Sequence, residues 1–274
     1  MLNLKNRYGP WALVTGASSG IGAALVRQLA AEGLNIVSVA RTQAKLERQA
    51  QLLRQEFGVE VRTVPADLST ETGTSTVLEA VRDIEIGLFI PCAAIENRAY
   101  FIDQPFARHQ SLLQMDVIAP MTLVHHFASK MATRHRGAVL LVSSLSGWMS
   151  QPYMAHYGAA KAYIMALGDA LHHEMKDQGV DVAVLSPGPT DTPMAAAVGI
   201  DFAAMGMQVM QPSAVAAAGL AALGQKSHAV PGARNRMMLF MTSRLMPRRW
   251  VGAMMKTMMG KALKILPKPV VQGS

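Results

Sequence analysis

Tyr157 and Lys161 are the two residues whose types and spacing most directly suggest chemistry. They stand four residues apart in a segment with a helical pattern, from about Met154 to Gln178, and residues four apart lie on the same face of a helix. An ammonium beside a phenol favours the phenolate and lowers the pKa of the phenol from its usual ~10. The pair is therefore predicted to donate and accept a proton, with an ordinary exposed helical pair as the alternative.

A glycine-rich segment follows the first apolar run of the chain. Residues 11–15 have the pattern of a short strand, and Gly16-Ala-Ser-Ser-Gly-Ile-Gly22 comes next and opens a helical segment that ends at Gly33. Glycines at such a junction let the backbone approach a pyrophosphate, and the helix N-terminus favours its charge. The segment predicts a dinucleotide site, with a tight turn that binds nothing as the alternative.

The elements that must position these residues alternate along the chain. Apolar runs at residues 11–15, 34–40, 59–64, 86–90, 138–142 and 180–185 are separated by helical segments. The alternation predicts an α/β fold, a Rossmann-type doubly wound parallel sheet with helices on both faces. Ligands bind such sheets at the carboxyl ends of the strands. A kink is expected at Pro120, inside the helical segment 105–134.

Composition limits the class of protein. Half of the residues are hydrophobic and 16% are charged, as in a well-buried enzyme domain, and Cys92 is the only cysteine. A chain with one cysteine has no internal disulfide, which favours a reducing, cytoplasmic location. The sequence contains no uninterrupted apolar run of the ~18 residues that a spanning helix needs.

Four separated motifs together resemble the short-chain dehydrogenase/reductase family. They are Thr15-Gly16-Ala-Ser-Ser-Gly-Ile-Gly22, Ser144, Tyr157-Gly-Ala-Ala-Lys161 and Pro187-Gly-Pro-Thr-Asp-Thr192. Their order and spacing match the family over roughly residues 10 to 230. Each motif is weak or moderate by itself, and the ordered set is specific.

The resemblance implies a catalytic group. Tyr157 would be the general acid in carbonyl reduction and the general base in alcohol oxidation. Ser144 would hydrogen-bond the substrate oxygen, and Lys161 would bind the nicotinamide ribose and lower the pKa of Tyr157. Ser143 and Ser146 are alternatives to Ser144 that miss the family spacing. The family has Asn where this chain has Asp116, so Asp116 is counted with the catalytic residues.

The same resemblance implies an NADP(H) site. An acidic residue that ends the second strand marks NAD in this family, whereas Arg41 here offers a forked donor suited to a 2′-phosphate. A solvated arginine at a helix start is the alternative. The implied cofactor-binding residues are Gly16, Ser18, Ser19, Gly20, Ile21, Gly22, Arg41, Asp67, Leu68, Ala93, Tyr157, Lys161, Pro187, Gly188, Thr190 and Thr192.

Two positions depart from the family pattern. Pro91-Cys-Ala-Ala94 replaces Asn-Asn-Ala-Gly, which removes side-chain amides that brace the sheet. A local rearrangement is expected there, with Cys92 as a small buried hydrophobe. An ionised Asp116 would place a negative charge near Lys161 and oppose the lowering of the Tyr157 pKa.

The function that follows is hydride transfer between NADP(H) and a small-molecule carbonyl or alcohol, with an apolar substrate suggested by a substrate lid at about residues 190–211. A nucleotide-binding sensor or scaffold with weakened catalysis is the alternative. The family implies a homo-oligomer, a dimer or tetramer, paired through the helices near residues 106–134 and 154–178. No metal site is predicted, because the paired histidines face different directions and lack further ligands.

The last part of the chain has a different character. No acidic residue follows Asp201, and ten of the 26 basic residues lie beyond it. We divide the chain into a catalytic domain at 1–233 and a basic, methionine-rich helical extension at 234–274. Val251, Met254, Met255, Met258, Ala262 and Ile265 share one face of a predicted helix, which suits either an anionic membrane surface or packing on protein. Peripheral contact with the inner membrane surface thus stays an alternative, and no nucleic-acid motif occurs.

Overall fold

The computed structural model describes residues 2–96, 98–199, 202 and 207–263. Within them, seven strands form one sheet in which every neighbouring pair is parallel. They are β1 (Trp11–Thr15), β2 (Asn35–Ala40), β3 (Val61–Pro65), β4 (Ile86–Ile90), β5 (Gly137–Val142), β6 (Val180–Leu185) and β7 (His228–Ala229). Their order is β3-β2-β1-β4-β5-β6-β7. The order reverses between β1 and β4, and a ligand crevice is expected at such a switch point.

Helices cover both faces of this sheet. They are α1 (Leu4–Tyr8), α2 (Gly20–Ala31), α3 (Gln43–Phe57), α4 (Glu71–Ala80), α5 (Phe106–Leu113), α6 (Ala119–Thr133), α7 (Ala155–Glu174), α8 (Pro193–Val198), α9 (Pro212–Ala222), α10 (Ala233–Phe240) and α11 (Arg248–Ala262). Within β1, Ala12 and Val14 belong to the core under α2, α3 and α9, whereas Leu13 belongs to the core under α4, α6 and α7. Alternate residues of a strand face opposite sides, so both sides must be apolar, and the predicted fold class is confirmed.

Some elements were not predicted from the sequence, α1, α8, α9 and β7 among them. Strand β7 has two residues, too few to show a periodic pattern, and pairs with Val184 and Leu185 at the edge of the sheet. Helix α1 has five residues and is held by tertiary contacts, because Tyr8 Oη donates to Asp181 Oδ2 at 2.6 Å. Strand β7 and helix α1 both depend on distant parts of the chain.

The break in the long helical segment lies just before Pro120. Residues Gln114–Ile118 form a single π-helical turn between α5 and α6, and Pro120 is the second residue of α6. Proline lacks an N–H and its ring crowds the carbonyl four residues earlier, which here belongs to Asp116. The wider π turn accommodates both effects, and such turns are frequent at functional sites.

The basic extension folds back onto the body of the protein. Val251, Met255 and Met259 of α11 are buried in a cluster with residues of α5, the π turn and α7. The apolar face that suggested lipid contact is therefore packed on protein. Ile265, which the prediction placed on the same face, lies outside the described residues.

Candidate active site

The glycine-rich loop between β1 and α2 leaves space where side chains would otherwise stand. Gly16 and Gly20 have positive φ angles of 67° and 53°, a region that favours glycine. A Cβ on Gly22 would lie 2.2 Å from the Gly16 carbonyl oxygen. Ser19 caps α2 without a side-chain hydrogen bond, so the first amides of the helix stay available to a ligand. The loop fits the pyrophosphate of a dinucleotide.

Helix α7 places Tyr157 and Lys161 together beneath this loop. Both side chains are buried, and Lys161 Nζ lies 5.5 Å from the centre of the Tyr157 ring. The end of β5 supplies Ser144, whose hydroxyl is a hydrogen-bond partner of Tyr157. Ser143 is occupied elsewhere, because its hydroxyl donates to the Lys161 carbonyl at 2.7 Å. Of the two, only Ser144 thus has its hydroxyl on Tyr157.

Asp116 faces Lys161 from the π turn. Asp116 Oδ2 lies 3.2 Å from Lys161 Nζ, and the residues are only 1% and 4% exposed. Asp116 Oδ1 accepts a hydrogen bond from the Ile95 amide at 2.9 Å. Burial raises the pKa of Asp116, and the Lys161 charge opposes that shift. The Asp116 carboxyl group, whose negative charge when ionised was expected near Lys161, is therefore in direct contact with it.

The pKa of Tyr157 differs from the expected direction. Burial raises it well above its usual value, the charges of Glu96 and Asp116 raise it further, and the Ser144 hydrogen bond opposes them. The predicted lowering of the Tyr157 pKa by Lys161 is therefore not met. Burial favours the neutral phenol, and Asp116 offsets the lysine charge.

A cavity of about 580 Å³ connects these groups. Every predicted cofactor-binding residue except Asp67 lines it, and so does Ser144. Asp116 stands behind Lys161, outside the lining. The Asp67 carboxylate accepts hydrogen bonds from the Ser69 amide and hydroxyl, which hold it within its own turn. Leu68, the next residue, reaches the cavity instead.

The segment Pro91–Ala94, which departs from the family pattern, is held to the neighbouring strand by its backbone. The amides of Cys92 and Ala93 donate to Thr15 Oγ1 at 3.1 and 3.0 Å, which ties the end of β4 to the end of β1. The side-chain amides that the sequence lacks are thus replaced by backbone donors. Cys92, predicted as a small buried hydrophobe, is partly buried: it packs against the core and also lines the cavity, and burial raises the pKa of its thiol to about 12.

Several cavity residues were missed by the sequence reading. Glu96 follows β4 on a segment without a helical or strand pattern, and nothing in its neighbours marks it. Methionines from distant segments also converge on the cavity; they are Met115, Met149, Met154, Met194, Met207, Met238, Met254, Met255, Met258 and Met259. The amphipathic pattern of α11 was visible in the sequence, but not the surface on which it packs.

His156 also has a partner that its neighbours in sequence do not reveal. Its Nδ1 lies 3.0 Å from Nδ1 of the buried His109, and Phe101 stacks on the His109 ring. The pair joins α5 to α7 beside the cavity. Among the described residues, no group of three or more His, Cys, Asp or Glu side chains is arranged to hold a metal ion.

Comparison with known proteins agrees with this geometry. The family model described as short chain dehydrogenase matches residues 10–201. The chain belongs to the short-chain dehydrogenase family. It is therefore an oxidoreductase that transfers hydride between a nicotinamide cofactor and a carbonyl or alcohol. The resemblance inferred from the four motifs is confirmed.

Individual members of the short-chain dehydrogenase family resemble most of the chain. A 7beta-hydroxysteroid dehydrogenase of Collinsella aerofaciens is 35% identical over 192 residues, 70% of this chain and 73% of that one. A solved structure that addresses 7beta-hydroxysteroid dehydrogenase stereoselectivity is 30% identical, covers 92% of this chain and 99% of its own, and superposes with a TM-score of 0.87. A short-chain dehydrogenase from Sphingobium yanoikuyae in complex with NADPH is 26% identical, covers 97% and 99% of the two chains and has a TM-score of 0.77.

The helices of this short-chain dehydrogenase, those of its extension included, lack the character of a membrane span within the described residues. None of the described helices combines the length and the apolar composition needed to cross a bilayer. Some apolar side chains of the extension do face solvent, among them Phe240, Leu245 and Trp250.

Proposed function

We propose that this short-chain dehydrogenase reduces a bulky, apolar ketone with NADPH, and that Tyr157 supplies the proton. The observation that carries the proposal is the shared cavity. Its walls bring the glycine-rich loop, the Ser144 and Tyr157 hydroxyls and a set of methionines into one space. A phosphate cradle, a proton donor and an apolar wall are the three parts that such a reaction needs.

Each catalytic side chain has a distinct task in this proposal. The cofactor, when bound, supplies the hydride that reaches the carbonyl carbon. The Tyr157 hydroxyl gives its proton to the carbonyl oxygen, and Ser144 hydrogen-bonds that oxygen as negative charge develops on it. The raised pKa of Tyr157 keeps the proton in place at neutral pH, which suits reduction. Lys161, paired with Asp116, holds the ribose beside Tyr157.

Basic residues at the end of β2 support a preference for NADPH over NADH. Arg41 and Lys45 line the cavity next to Thr42, and no carboxylate lines it at this edge within the described residues. A guanidinium pairs well with a phosphate dianion, whereas the ribose diol of NADH gives it no anionic partner. We therefore assign the 2′-phosphate to Arg41. The NADPH in the Sphingobium relative is consistent with this choice.

The methionine wall supports a bulky, apolar substrate. Met254, Met255, Met258 and Met259 of α11 enter the cavity beside Met149. Methionine side chains are flexible and polarizable, so they adapt to large apolar surfaces of varied shape. The hydroxysteroid substrate in the names of the relatives is a ligand of that kind. The extension is accordingly assigned to the substrate cavity, and residues 190–211 to a lid over it, although residues 200–201 and 203–206 lie outside the described residues.

A homo-oligomer in the cytoplasm completes the proposal. Leu113, Met121 and Tyr163 are at least 38% exposed on the helices that the family pairs between subunits. Light scattering of the purified protein should give a dimer or tetramer. Co-sedimentation with anionic vesicles should leave the protein in the supernatant, because the apolar face of α11 is already buried. Pelleting with the vesicles would restore the membrane alternative.

A panel of aldehydes and ketones with NADPH tests the proposed reaction. Turnover of bulky apolar ketones is expected, and Tyr157→Phe should lower kcat by about 10²–10⁴-fold because general acid catalysis is lost. NADPH affinity of the variant, measured by fluorescence titration, should stay within a few-fold. Tight NADPH binding without turnover of any compound would instead support a sensor or scaffold.

A further inference from the structure

Glu96 is a carboxyl group in the cavity that the reaction described above does not use. It lies two residues beyond Ala94, is partly buried and lines the same cavity as Tyr157 and Gln151. Within the described residues, no hydrogen bond or ion pair engages its side chain. Placing a carboxylate in such a partly buried position costs free energy unless a ligand supplies a hydrogen-bond donor to it.

The backbone just before Glu96 is held by hydrogen bonds to two other parts of the protein, Thr15 and Asp116. Thr15 Oγ1 accepts hydrogen bonds from the amides of Cys92 and Ala93, and Asp116 Oδ1 accepts one from the Ile95 amide. Three bonds to two different elements fix the direction of the chain. Glu96 is therefore delivered to the cavity by a rigid segment, as a binding residue requires.

The surrounding charges do not neutralise Glu96. Lys161 already has a carboxylate partner, since Asp116 lies 3.2 Å from its ammonium. The Glu96 charge also acts on the reacting centre, because it is the largest charge contribution that raises the pKa of Tyr157. Glu96 and Tyr157 thus line the same cavity, and much of the remaining wall near α11 consists of methionines, which offer a substrate no strong hydrogen-bond partner.

We propose that Glu96 determines substrate specificity by accepting a hydrogen bond from a hydroxyl group on the substrate, next to the reacting carbonyl. This inference rests on the proposed function. The preferred substrates would be bulky apolar ketones that carry a hydroxyl on the neighbouring carbon. A carboxylate or phosphate at that position would be repelled, because two negative charges would meet in a poorly solvated site.

Three aromatic ketones test the proposal in the wild-type enzyme. Benzoin is bulky and apolar and has the hydroxyl; benzoin methyl ether keeps the oxygen but loses the donor; deoxybenzoin lacks both. Wild-type kcat/KM for benzoin is expected to exceed that for the methyl ether by about ten-fold or more, the scale of one hydrogen bond to a charged acceptor. Equal wild-type kcat/KM values for benzoin and its methyl ether would overturn the proposal, whatever the Glu96 variants show.

Substitutions of Glu96 assign the preference to this residue. The benzoin-to-ether ratio should fall to a few-fold in Glu96→Gln, which keeps a weaker acceptor, and to about one in Glu96→Leu. Glu174→Leu removes a carboxylate from the exposed end of α7 and should keep the wild-type ratio. A ratio that persists in Glu96→Leu would overturn the proposal, and so would a large change in NADPH affinity at an unchanged ratio.

The pH dependence of the ratio gives an independent measurement. Burial raises the pKa of Glu96 to about 7; the charge of Lys161 lowers this pKa and the charge of Asp116 raises it. The carboxylate, the better acceptor, accumulates above that pH, so the ratio should increase between about pH 6 and 8. Tyr157 and Cys92 also face this region, and burial keeps both neutral there. Failure of the wild type to reduce any ketone would refute the proposed function itself, whereas reduction with a flat ratio would refute only the role of Glu96.

Discussion

Asp116 and Lys161 form a buried ion pair directly behind Tyr157. The Nζ–Oδ2 separation is 3.2 Å, yet Oδ2 lacks a properly aligned hydrogen bond. The pair is created by the π turn before Pro120, which directs Asp116 inward. Where the family has a neutral amide, this enzyme sets a carboxylate against the lysine that acts on Tyr157. The effect of Lys161 on the pKa of Tyr157 therefore depends on the side chain at position 116.

The first prediction concerns the pH profile of alcohol oxidation, which needs the Tyr157 phenolate. The Asp116 charge raises the pKa of Tyr157, so Asp116→Asn should lower it and shift the acid limb of kcat/KM to lower pH, with activity retained. Asp116→Leu also removes the acceptor of the Ile95 amide and should lose stability as well. Identical profiles of wild type and Asp116→Asn would contradict the role given to this carboxylate.

Cofactor preference is the second prediction. Arg41→Ser should raise KM for NADPH by about 10–100-fold, because a charge-assisted pair with the 2′-phosphate is worth roughly 1.5–3 kcal/mol. KM for NADH should change little. Arg48→Ser, an exposed change one turn into α3 and outside the cavity, is the matched control and should leave both values as they are. A parallel loss with both cofactors would contradict the assignment of Arg41.

The glycine-rich loop gives a third prediction. In Gly22→Ala the new Cβ would stand 2.2 Å from the Gly16 carbonyl oxygen, so the loop must move. NADPH binding, followed by fluorescence titration, should become undetectable or at least 100-fold weaker, as roughly expected when about 3 kcal/mol of phosphate contact is lost. Gly260→Ala in α11 brings its Cβ no closer than 3.6 Å to Tyr153 and should bind NADPH normally.

The fourth prediction concerns the methionine wall, where an added charge should affect a large substrate more than a small one. Met254 lines the cavity, whereas the neighbouring Ala253 is exposed on the outer side of α11. Met254→Lys should lower kcat/KM for deoxybenzoin more than ten-fold, since an ammonium is poorly tolerated against an apolar ligand. Reduction of acetaldehyde, which is too small to reach the wall, should fall much less. Ala253→Lys adds the same charge outside the cavity and should change neither.

The contact between α1 and β6 gives the fifth prediction, which concerns the stability of the fold. Tyr8 is 3% exposed and donates to Asp181 Oδ2, which also pairs with Arg7 at 3.0 Å. Tyr8→Phe keeps the packing but removes a hydrogen bond to a carboxylate, so the free energy of unfolding in urea should fall by about 1–2 kcal/mol. Tyr163→Phe, at an exposed site on α7, should be neutral. A loss of similar size in both variants would show that Asp181 does not need Tyr8.

The parallel sheet and the order of its motifs were predictable from the sequence because they depend on local patterns, whereas the strand order and its switch point came from pairing between distant segments. Apolar runs and helical periods repeat within a few residues, and glycines mark turns whatever lies around them. Thus Gly16–Gly22, Ser144 and the Tyr157–Lys161 pair could be assigned to strand ends and one helix face. Strand β7 and the α1 anchor could not, because each depends on a partner more than forty residues away.

What the sequence by itself determined is the family and the fold class, since these follow from residue types at fixed spacings, and it predicts Tyr157 as the proton donor. Only the tertiary structure decided what surrounds that donor. It brought Asp116 against Lys161, turned Glu96 into the cavity and laid the methionines of α11 over it. These contacts join segments far apart in the chain, and their effect on the Tyr157 pKa comes from burial and from charges in space. Neither quantity is encoded in the spacing of neighbouring residues.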